Sequence, residues 1–566
     1  MNKPVYVLGT GLSHDGSSCL LKDGKIIVAI EKERLSRIKH DGGNDFLSIQ
    51  YCLEAAGIGL SDLNLVVQAA NFEKAEIQQH QYKGQRFFPQ DLEIPFVSIS
   101  HHLAHAYSAI GTSPFDECNV MVIDGCGSFY HQCDDTSNAF IPSDINSIPG
   151  LYGEKDSFYF FDGQSLQPLY KDFSIINFLQ KPGQVYLPTA NHSIGGLYAM
   201  ASHYCFGDFD DAGKLMGLAP YGEKDIYQES LFDLKEGRVW VREDIMWKYF
   251  TQAADPIHRP FKEHFQYYAD IARWVQEETE RAIQYIIQNR NRLHPHPNLC
   301  YAGGVALNAV ANTAILTNTD IRNLYIEPAA GDNGLAIGCA YYGWLEILKQ
   351  AKVKHSGSTF LGKSYSQENI LAALEEKKDF IHYTQSPEFI QETASYLKEG
   401  KTIGWFQSGA EFGPRALGRR SILADPGRAG IRDHINQHIK FREDFRPFAP
   451  AVLYEDRNEY FQLGLESPYM ILIDRIKEDW RNKMEGIVHK NGTCRVQTVK
   501  DPVDVFYQLL SAWKTASGHS VLVNTSFNKK GMPIVESPKE AIDFFLSCAL
   551  DVLVIDNYLI TKKAHD

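Results

Sequence analysis

The chain is short of several things, and each shortage excludes a class of protein. Its ten cysteines are scattered without a single C-x-x-C pair, so neither a zinc knuckle nor a disulfide framework is indicated. No uncharged apolar run reaches the roughly 18 residues that a membrane-spanning helix needs. The opening residues, MNKPVYVLGTGLSHDG, interrupt their one apolar run with Gly, His and Asp, whereas a secretory signal carries an apolar core of roughly 7–15 residues. A cytoplasmic protein with no membrane partner is therefore expected. Positive charge is also in deficit, since 56 Lys and Arg against 70 Asp and Glu leave −14. Coating a nucleic acid requires a basic face, so no nucleic-acid partner is expected, although a local basic cleft is compatible with the balance. Apolar residues are not scarce. At 44% against 22% charged over 566 residues, the chain is composed like a folded protein with several domains of about 100–200 residues each.

What is present is an alternation of strands and helices. Runs at 5–8, 17–21 and 25–29 read as strands, the last two joined by an Asp23-Gly24 turn. The run at 119–123 (NVMVI) leads straight into Asp124-Gly125-Cys126-Gly127-Ser128, as the opening strand leads into Gly9-Thr10-Gly11. Two such strand-to-glycine loops suggest an internal duplication. Ile271, Trp274, Val275, Ala282 and Ile286 recur at helical spacing. A strand at 299–301 meets Gly303-Gly304 before a helix at 308–316. A strand at 323–326 then meets the turn Gly331-Asp332-Asn333-Gly334 before an apolar helix at 335–348. Residues 130–190, with aromatic runs among Ser, Asp and Gly, read as hairpins and insertions. The polar stretch 352–360 is the candidate linker. Beyond it come helices near 387–399 and 502–516, strands at 402–406, 520–524 and 552–555, and a helix start at Ser537-Pro538-Lys539-Glu540. Such alternation defines an α/β fold class.

Three constellations carry chemistry. In His101-His102-Leu103-Ala104-His105, the outer histidines are four apart and share one face of a helix, so both imidazoles can meet one metal ion. A structural pair has the same spacing. Asp124 at a strand end and Asp332 in a glycine-flanked turn offer oxygen ligands, and two imidazoles with two carboxylates suit iron(II), manganese or zinc better than calcium. Second, Gly303-Gly304 with Asn308 permits close backbone approach to a phosphate, or is merely a turn. The third is basic: Gly413-Pro414-Arg415-Ala416-Leu417-Gly418-Arg419-Arg420, then Lys440, Arg442 and Arg446 within IKFREDFRPFAP. Guanidinium groups set among Gly, Pro and Phe look held in a pocket, where they can grip phosphate bidentately. Surface ion pairs are the alternative. Arg495, Asn524 and Ser526 can complete such a pocket from other strands.

Taken together, His14-Asp15, Glu31-Lys32-Glu33-Arg34 through Arg37-Ile38-Lys39-His40, HHLAHA, IDGCGS, GKLMGLAPYG, GGVALN, GDNG, GPRALGRRSILADP, IKFREDFRPFAP, RVQT and LVNTSFN resemble, nearly end to end, the O-carbamoyltransferases typified by the nodulation-factor, cephamycin and tobramycin enzymes. The resemblance implies an N-terminal domain, 1–355, with the metal-binding, actin/sugar-kinase-like fold of the tRNA threonylcarbamoyl-transfer enzyme. It implies a C-terminal α/β domain, 356–566, similar to the fold that makes threonylcarbamoyl adenylate. The second domain would convert carbamoyl phosphate and ATP, with Mg2+, into carbamoyl adenylate. The first would pass the carbamoyl group to an acceptor hydroxyl.

By the same resemblance His101, His105, Asp124 and Asp332 look like ligands of a divalent metal, iron(II) ahead of manganese or zinc. His14 and Lys39 look catalytic: the histidine as general base or orienting donor, the lysine facing developing oxyanion charge. Asp211, Gly303, Gly304, Asn308 and Gly331 would bind the adenylate. Arg415, Lys440, Arg446, Arg495, Asn524 and Ser526 would bind carbamoyl phosphate and ATP. The acceptor implied is a small-molecule hydroxyl, on a natural product or glycoside, and a homodimer is a family-level expectation. The rival readings are a carbamoyl or threonylcarbamoyl transferase acting on tRNA or protein, and a non-catalytic nucleotide-binding module. The segment 130–165 matches nothing in the family pattern, so the acceptor itself is not assigned.

Overall fold

The run NVMVI becomes the core of strand Cys118–Ile123, buried along its whole length, as a strand covered on both faces must be. This computed structural model describes residues 3–42, 46–70, 93–177, 187–250 and 260–563. The chain divides into two units, Met1–Lys32 with His40–Ser358, and Glu33–Lys39 with Thr359–Asp566.

The first unit holds two larger sheets. One orders its strands Lys25–Glu31, Ser17–Lys22, Tyr6–Leu12, Leu65–Ala70 and Phe96–Ile99. Its first two pairings are antiparallel and its last two parallel. The other runs Leu166–Ile175, Tyr152–Phe161, Cys118–Ile123, Asn298–Ala302 and Asn323–Tyr325 in the same pattern of two antiparallel and two parallel pairings. Ala139–Phe140 is added beyond Leu166–Ile175. Tyr6–Leu12 and Cys118–Ile123 thus hold equivalent central places, each running into its glycine loop. The duplication suggested by the two loops is a duplication of sheets. Helices His101–Thr112 and Leu335–Tyr342 pack on each other, with Gly338 in the contact. A Cβ on Gly338 would stand 1.7 Å from the carbonyl oxygen of Ala104, so only glycine permits this approach.

The second unit is built on one eight-stranded sheet: Ile381–Gln385, Tyr558–Lys562, Val552–Ile555, Ile403–Phe406, Arg420–Ala424, Val521–Ser526, Ala449–Leu453 and Gln497–Val499. Alternate side chains serve opposite faces. Ile422 and Ala424 join one core with Leu374, Ile542 and Phe545, while Leu423 joins another with Leu397, Leu509 and Trp513. The helix at Pro538–Leu546 begins as its sequence predicts, with the reciprocal Ser537/Glu540 capping box and proline in the first turn.

The unit boundary falls within the predicted linker, after Ser358. Division by chain position missed one segment, Glu33–Lys39, which clusters with the second unit although it lies near the N-terminus. Arg34 is buried there and donates to the Gly413 carbonyl at 2.8 Å. Arg37 donates to the carbonyls of Pro533 and Ile534, each at 2.8 Å, and pairs with Glu540 at 3.2 Å. Charged residues that look solvent-directed in sequence are spent on backbone oxygens, which are costly to bury unpaired. Among the described residues no helix is long and apolar enough to cross a membrane.

Candidate functional site

In the first unit, helix His101–Thr112 turns His101 and His105 to the same side. Their Nε2 atoms are 3.1 Å apart, as the i,i+4 spacing requires. Strand Cys118–Ile123 delivers Asp124 to this point, and the glycine turn before Leu335 delivers Asp332. His101 Nε2 lies 2.9 Å from Asp124 Oδ2 and 3.3 Å from Asp332 Oδ1. His105 Nε2 lies 3.6 and 3.7 Å from the same atoms. All four ligand atoms fall within 4.8 Å of one another, and all four residues are buried.

Burial disfavours charge on both imidazoles, but the carboxylates of Asp332 and Asp124 outweigh it, lifting His101 to about 10 and raising His105. Conversely, burial would raise the two carboxyls, yet the histidines hold both far below the ordinary carboxylate range. Two buried carboxylates and two converging imidazole nitrogens are the donor set of a mid-row divalent ion, so the residues present fit the group that the resemblance implies.

The Gly303-Gly304 turn serves this quartet directly. The Gly304 N–H donates to Asp124 Oδ1 at 2.8 Å. Gly303 adopts φ +92°, and a Cβ there would stand 2.2 Å from the Ile123 carbonyl oxygen, so only glycine fits. Gly331 precedes Asp332 as the cap of its short turn.

His14 lies alongside, its Nδ1 3.3 Å from Asp332 Oδ2 and its Nε2 3.3 Å from Asp15 Oδ2. Burial opposes its charged form, but Asp15, Asp332 and Asp210 raise its pKa well above the ordinary value. Ser13 donates to the same Asp332 oxygen, and His40 bonds Asp15 at 2.8 Å.

Two further predicted residues are engaged within the fold. Asn308 caps the helix Ala309–Asn318 through Ala311 N–H, and its amide pairs reciprocally with Gln276 at 3.0 Å. Asp211 pairs with Lys214. Lys39 belongs to the second unit, where its ammonium lies 3.3 Å from both Glu33 carboxylate oxygens.

In the second unit the predicted cations come together. Burial and the neighbouring Arg446 push Arg415 down to about 10. Lys440 is held well below its usual value by burial, then by Arg442 and Arg446, and Arg495 by burial with Arg415, Arg442 and Arg446. Arg495 Nε is buried without a partner. Lys440 donates to the Ser526 carbonyl at 2.6 Å and to Asn528 Oδ1 at 2.7 Å, with Ser526 Oγ 3.1 Å away. Asn524 donates to Gln497 at 2.7 Å and to the Ala416 carbonyl at 3.2 Å, bracing the loop that carries Arg415.

Arg442, quoted in the same basic run but given no ligand by the resemblance, belongs to this cluster. Its signal was its place in the quoted run, between Lys440 and Arg446. Arg419 and Arg420 do not act here. Arg419 forms an ion pair with Asp504 at 2.8 Å, and Arg420 is buried against the carbonyls of Glu536 and Gln407.

The first unit thus holds a buried histidine–aspartate quartet and the second a cluster of cations. The chain belongs to the carbamoyltransferase family: the profile described as carbamoyltransferase N-terminus matches residues 7–85 and 65–341, and that described as carbamoyltransferase C-terminus matches residues 394–562. It is a transferase. It is 31% identical to nodulation protein NolNO of Sinorhizobium fredii over 97% of this chain and 79% of the relative. It is 25% identical to the 3'-hydroxymethylcephem-O-carbamoyltransferase of Amycolatopsis lactamdurans over 96% of each. Among solved structures, T. kodakarensis HypF overlaps 62% of this chain and 49% of its own at 13% identity and a TM-score of 0.33, too slight a likeness to carry an argument.

Proposed function

We propose that this carbamoyltransferase works through an adenylate. In the second unit, water first splits carbamoyl phosphate into carbamate and phosphate, and the carbamate oxygen then attacks the α-phosphorus of Mg2+-ATP to give carbamoyl adenylate with pyrophosphate leaving. In the first, the carbamoyl group passes from the adenylate to a hydroxyl of a small-molecule acceptor, with AMP leaving. The observation that carries this reading is the pocket in which Arg415, Lys440, Arg442 and Arg495 are depressed by burial and by neighbouring cations, Arg446 beside all four. Cations held together against their own repulsion are stabilised by an anion of high charge, and triphosphate with carbamoyl phosphate is such a set.

Within the first unit, His101, His105, Asp124 and Asp332 hold the divalent ion, iron(II) before manganese or zinc. When bound there, such an ion would supply Lewis-acid stabilisation to the departing phosphate. His14 acts at the carbamoyl carbonyl, as general base or as the donor that orients it. The Gly303-Gly304 loop and Gly331 receive the adenylate. Asn308 and Asp211 exchange their present bonds when they bind it. Lys39 is assigned to oxyanion charge, which requires it to leave Glu33.

Pyrophosphate release by purified protein, measured with and without carbamoyl phosphate, tests the mechanism. Release that needs both ATP and carbamoyl phosphate supports it, and absence of carbamoyl-phosphate-dependent release sinks it. His14→Ala spares this release and blocks transfer. Lys39→Ala lowers transfer alone.

A further inference from the structure

The helix that bears both histidine ligands is capped from outside itself. Ser100 occupies the N-cap position, yet its hydroxyl makes no capping bond and is buried without a partner. The first-turn N–H donors, which must be satisfied when buried, go to two distant residues. His101 N–H donates to Ser128 Oγ at 2.9 Å, and His102 N–H donates to Glu154 Oε2 at 3.1 Å. The same Oε2 accepts the Ser128 N–H at 2.8 Å, while Oε1 accepts Lys171 Nζ at 2.6 Å. Glu154 also pairs through its backbone with the loop after Asp124, giving its carbonyl to Gly127 N–H at 3.0 Å and its N–H to Ser128 at 2.9 Å.

The fit is close. A Cβ on Gly127 would stand 2.5 Å from Glu154 Oε2. Burial alone would raise the Glu154 carboxyl, but Lys171 and the N–H donors outweigh it and hold it at about 2. Cys133, Asp135 and Glu154 also sit close enough together to suggest ligands. The Lys171 ammonium lies 2.6 Å from both carboxylates, so the cation of that cluster is a lysine and it is no second metal site.

We propose that Glu154 is a positioning residue for the metal centre, tying the helix start that carries His101 to the loop that carries Asp124. The assignment rests on the metal-centre reading above. A carboxylate is needed because three donors surround it. An amide would turn its NH2 either onto the two backbone N–H groups or onto the Lys171 ammonium, donor against donor.

The test is Co2+ affinity by chelator competition, together with the visible spectrum of the Co2+ form, on full-length protein. Glu154→Gln weakens Co2+ binding by about 10–100-fold, the range for residues that orient metal ligands, and shifts the spectrum. Ser128→Ala, which removes one acceptor and keeps the carboxylate, does the same to a smaller degree. Asp172→Asn breaks the neighbouring ion pairs with Lys155 and Arg238; it lowers Tm and leaves affinity and spectrum unchanged. Wild-type affinity and spectrum in Glu154→Gln overturn the proposal, as does an equal loss in Asp172→Asn. If Glu154→Gln does not fold, unaltered binding in Ser128→Ala overturns it. A wild-type protein that binds no divalent ion overturns the metal-centre reading, and this proposal with it.

Discussion

The metal quartet and the cation pocket solve opposite electrostatic problems. In the quartet, acids and bases face each other, so each raises or lowers its partner toward the charged form. In the pocket, cation faces cation, and every resolved shift runs toward the neutral form. The first is a cluster whose members satisfy one another until a metal replaces their protons. The second is a cluster whose members bond neutral groups such as Ser526, Asn528 and Asn436 and still push one another toward the neutral form until an anion arrives. A chain with net charge −14 accommodates the second because the charge is local: net charge describes the surface, and the pocket is set against it.

The sharpest way to break the comparison is to remove one side and watch the other. His101→Ala is expected to take metal content from about one equivalent to near none, since an incomplete donor set competes poorly for the ion, while carbamoyl-phosphate-dependent pyrophosphate release continues. Metal analysis and the release assay on one sample decide it. Retained stoichiometric metal contradicts the ligand assignment. The reciprocal change, Arg446→Ala, should cut pyrophosphate release by about 10²–10³-fold, the usual loss for one donor to a developing anion, and leave metal content intact. If both variants lose both properties, the two regions are not the separate devices described here.

How far this could be read from sequence depends on where the partners lie. The His101/His105 pair was legible because a helix converts a spacing of four into a shared face. The alternation of strands and glycine loops foretold the doubled sheet. The Arg-rich runs marked the pocket, although sequence could not separate Arg415 and Arg446 from Arg419 and Arg420, whose partners Asp504 and Glu536 lie far along the chain. Gly304 was read as a phosphate contact, and its N–H is seen to steady Asp124.

Least legible was Tyr152–Phe161. Its Glu154, Lys155 and Asp156 look like a solvated edge, yet all three are buried. Their counter-charges, Lys171, Asp172 and Arg290, arrive only through strand register and a helix more than 130 residues away. Local pattern carries the period of an element, not the identity of the strand opposite.

A smaller effect distinguishes the clusters by stability. Arg495→Met should be neutral to stabilising without ligand, because it removes a buried cation that others repel and substitutes apolar volume. Sulfate should raise the Tm of the wild type more than that of the variant. Removing Asp124 from the quartet should instead destabilise the metal-free protein, by leaving two buried histidines to share one carboxylate, Asp332. Thermal melts with and without sulfate compare the signs. A destabilised Arg495→Met protein would show that the arginine is held by partners rather than against repulsion.

The smallest expected effect is a proton. Burial, Arg442 and Arg446 hold Lys440 well below the ordinary 10.5, so the folded, empty pocket gives up this proton over a pH window that lies below that of a free lysine. In that window the unfolded chain binds more protons than the folded one. Anion-free stability therefore rises with pH toward 10.5, as the cost of the depressed group is relieved. A bound anion reverses the repulsion and raises the lysine again, so binding takes up a fraction of a proton and affinity falls as pH rises. Sulfate holds its full charge across this range, so calorimetric titration in two buffers of different ionisation enthalpy reads the uptake of the protein alone. Lys440→Met should lower it. Equal uptake in the variant would move the titration to another group, and no uptake in the wild type would mean that Lys440 stays charged in the empty pocket, compensated by its bonds to Ser526 and Asn528 rather than opposed by the arginines.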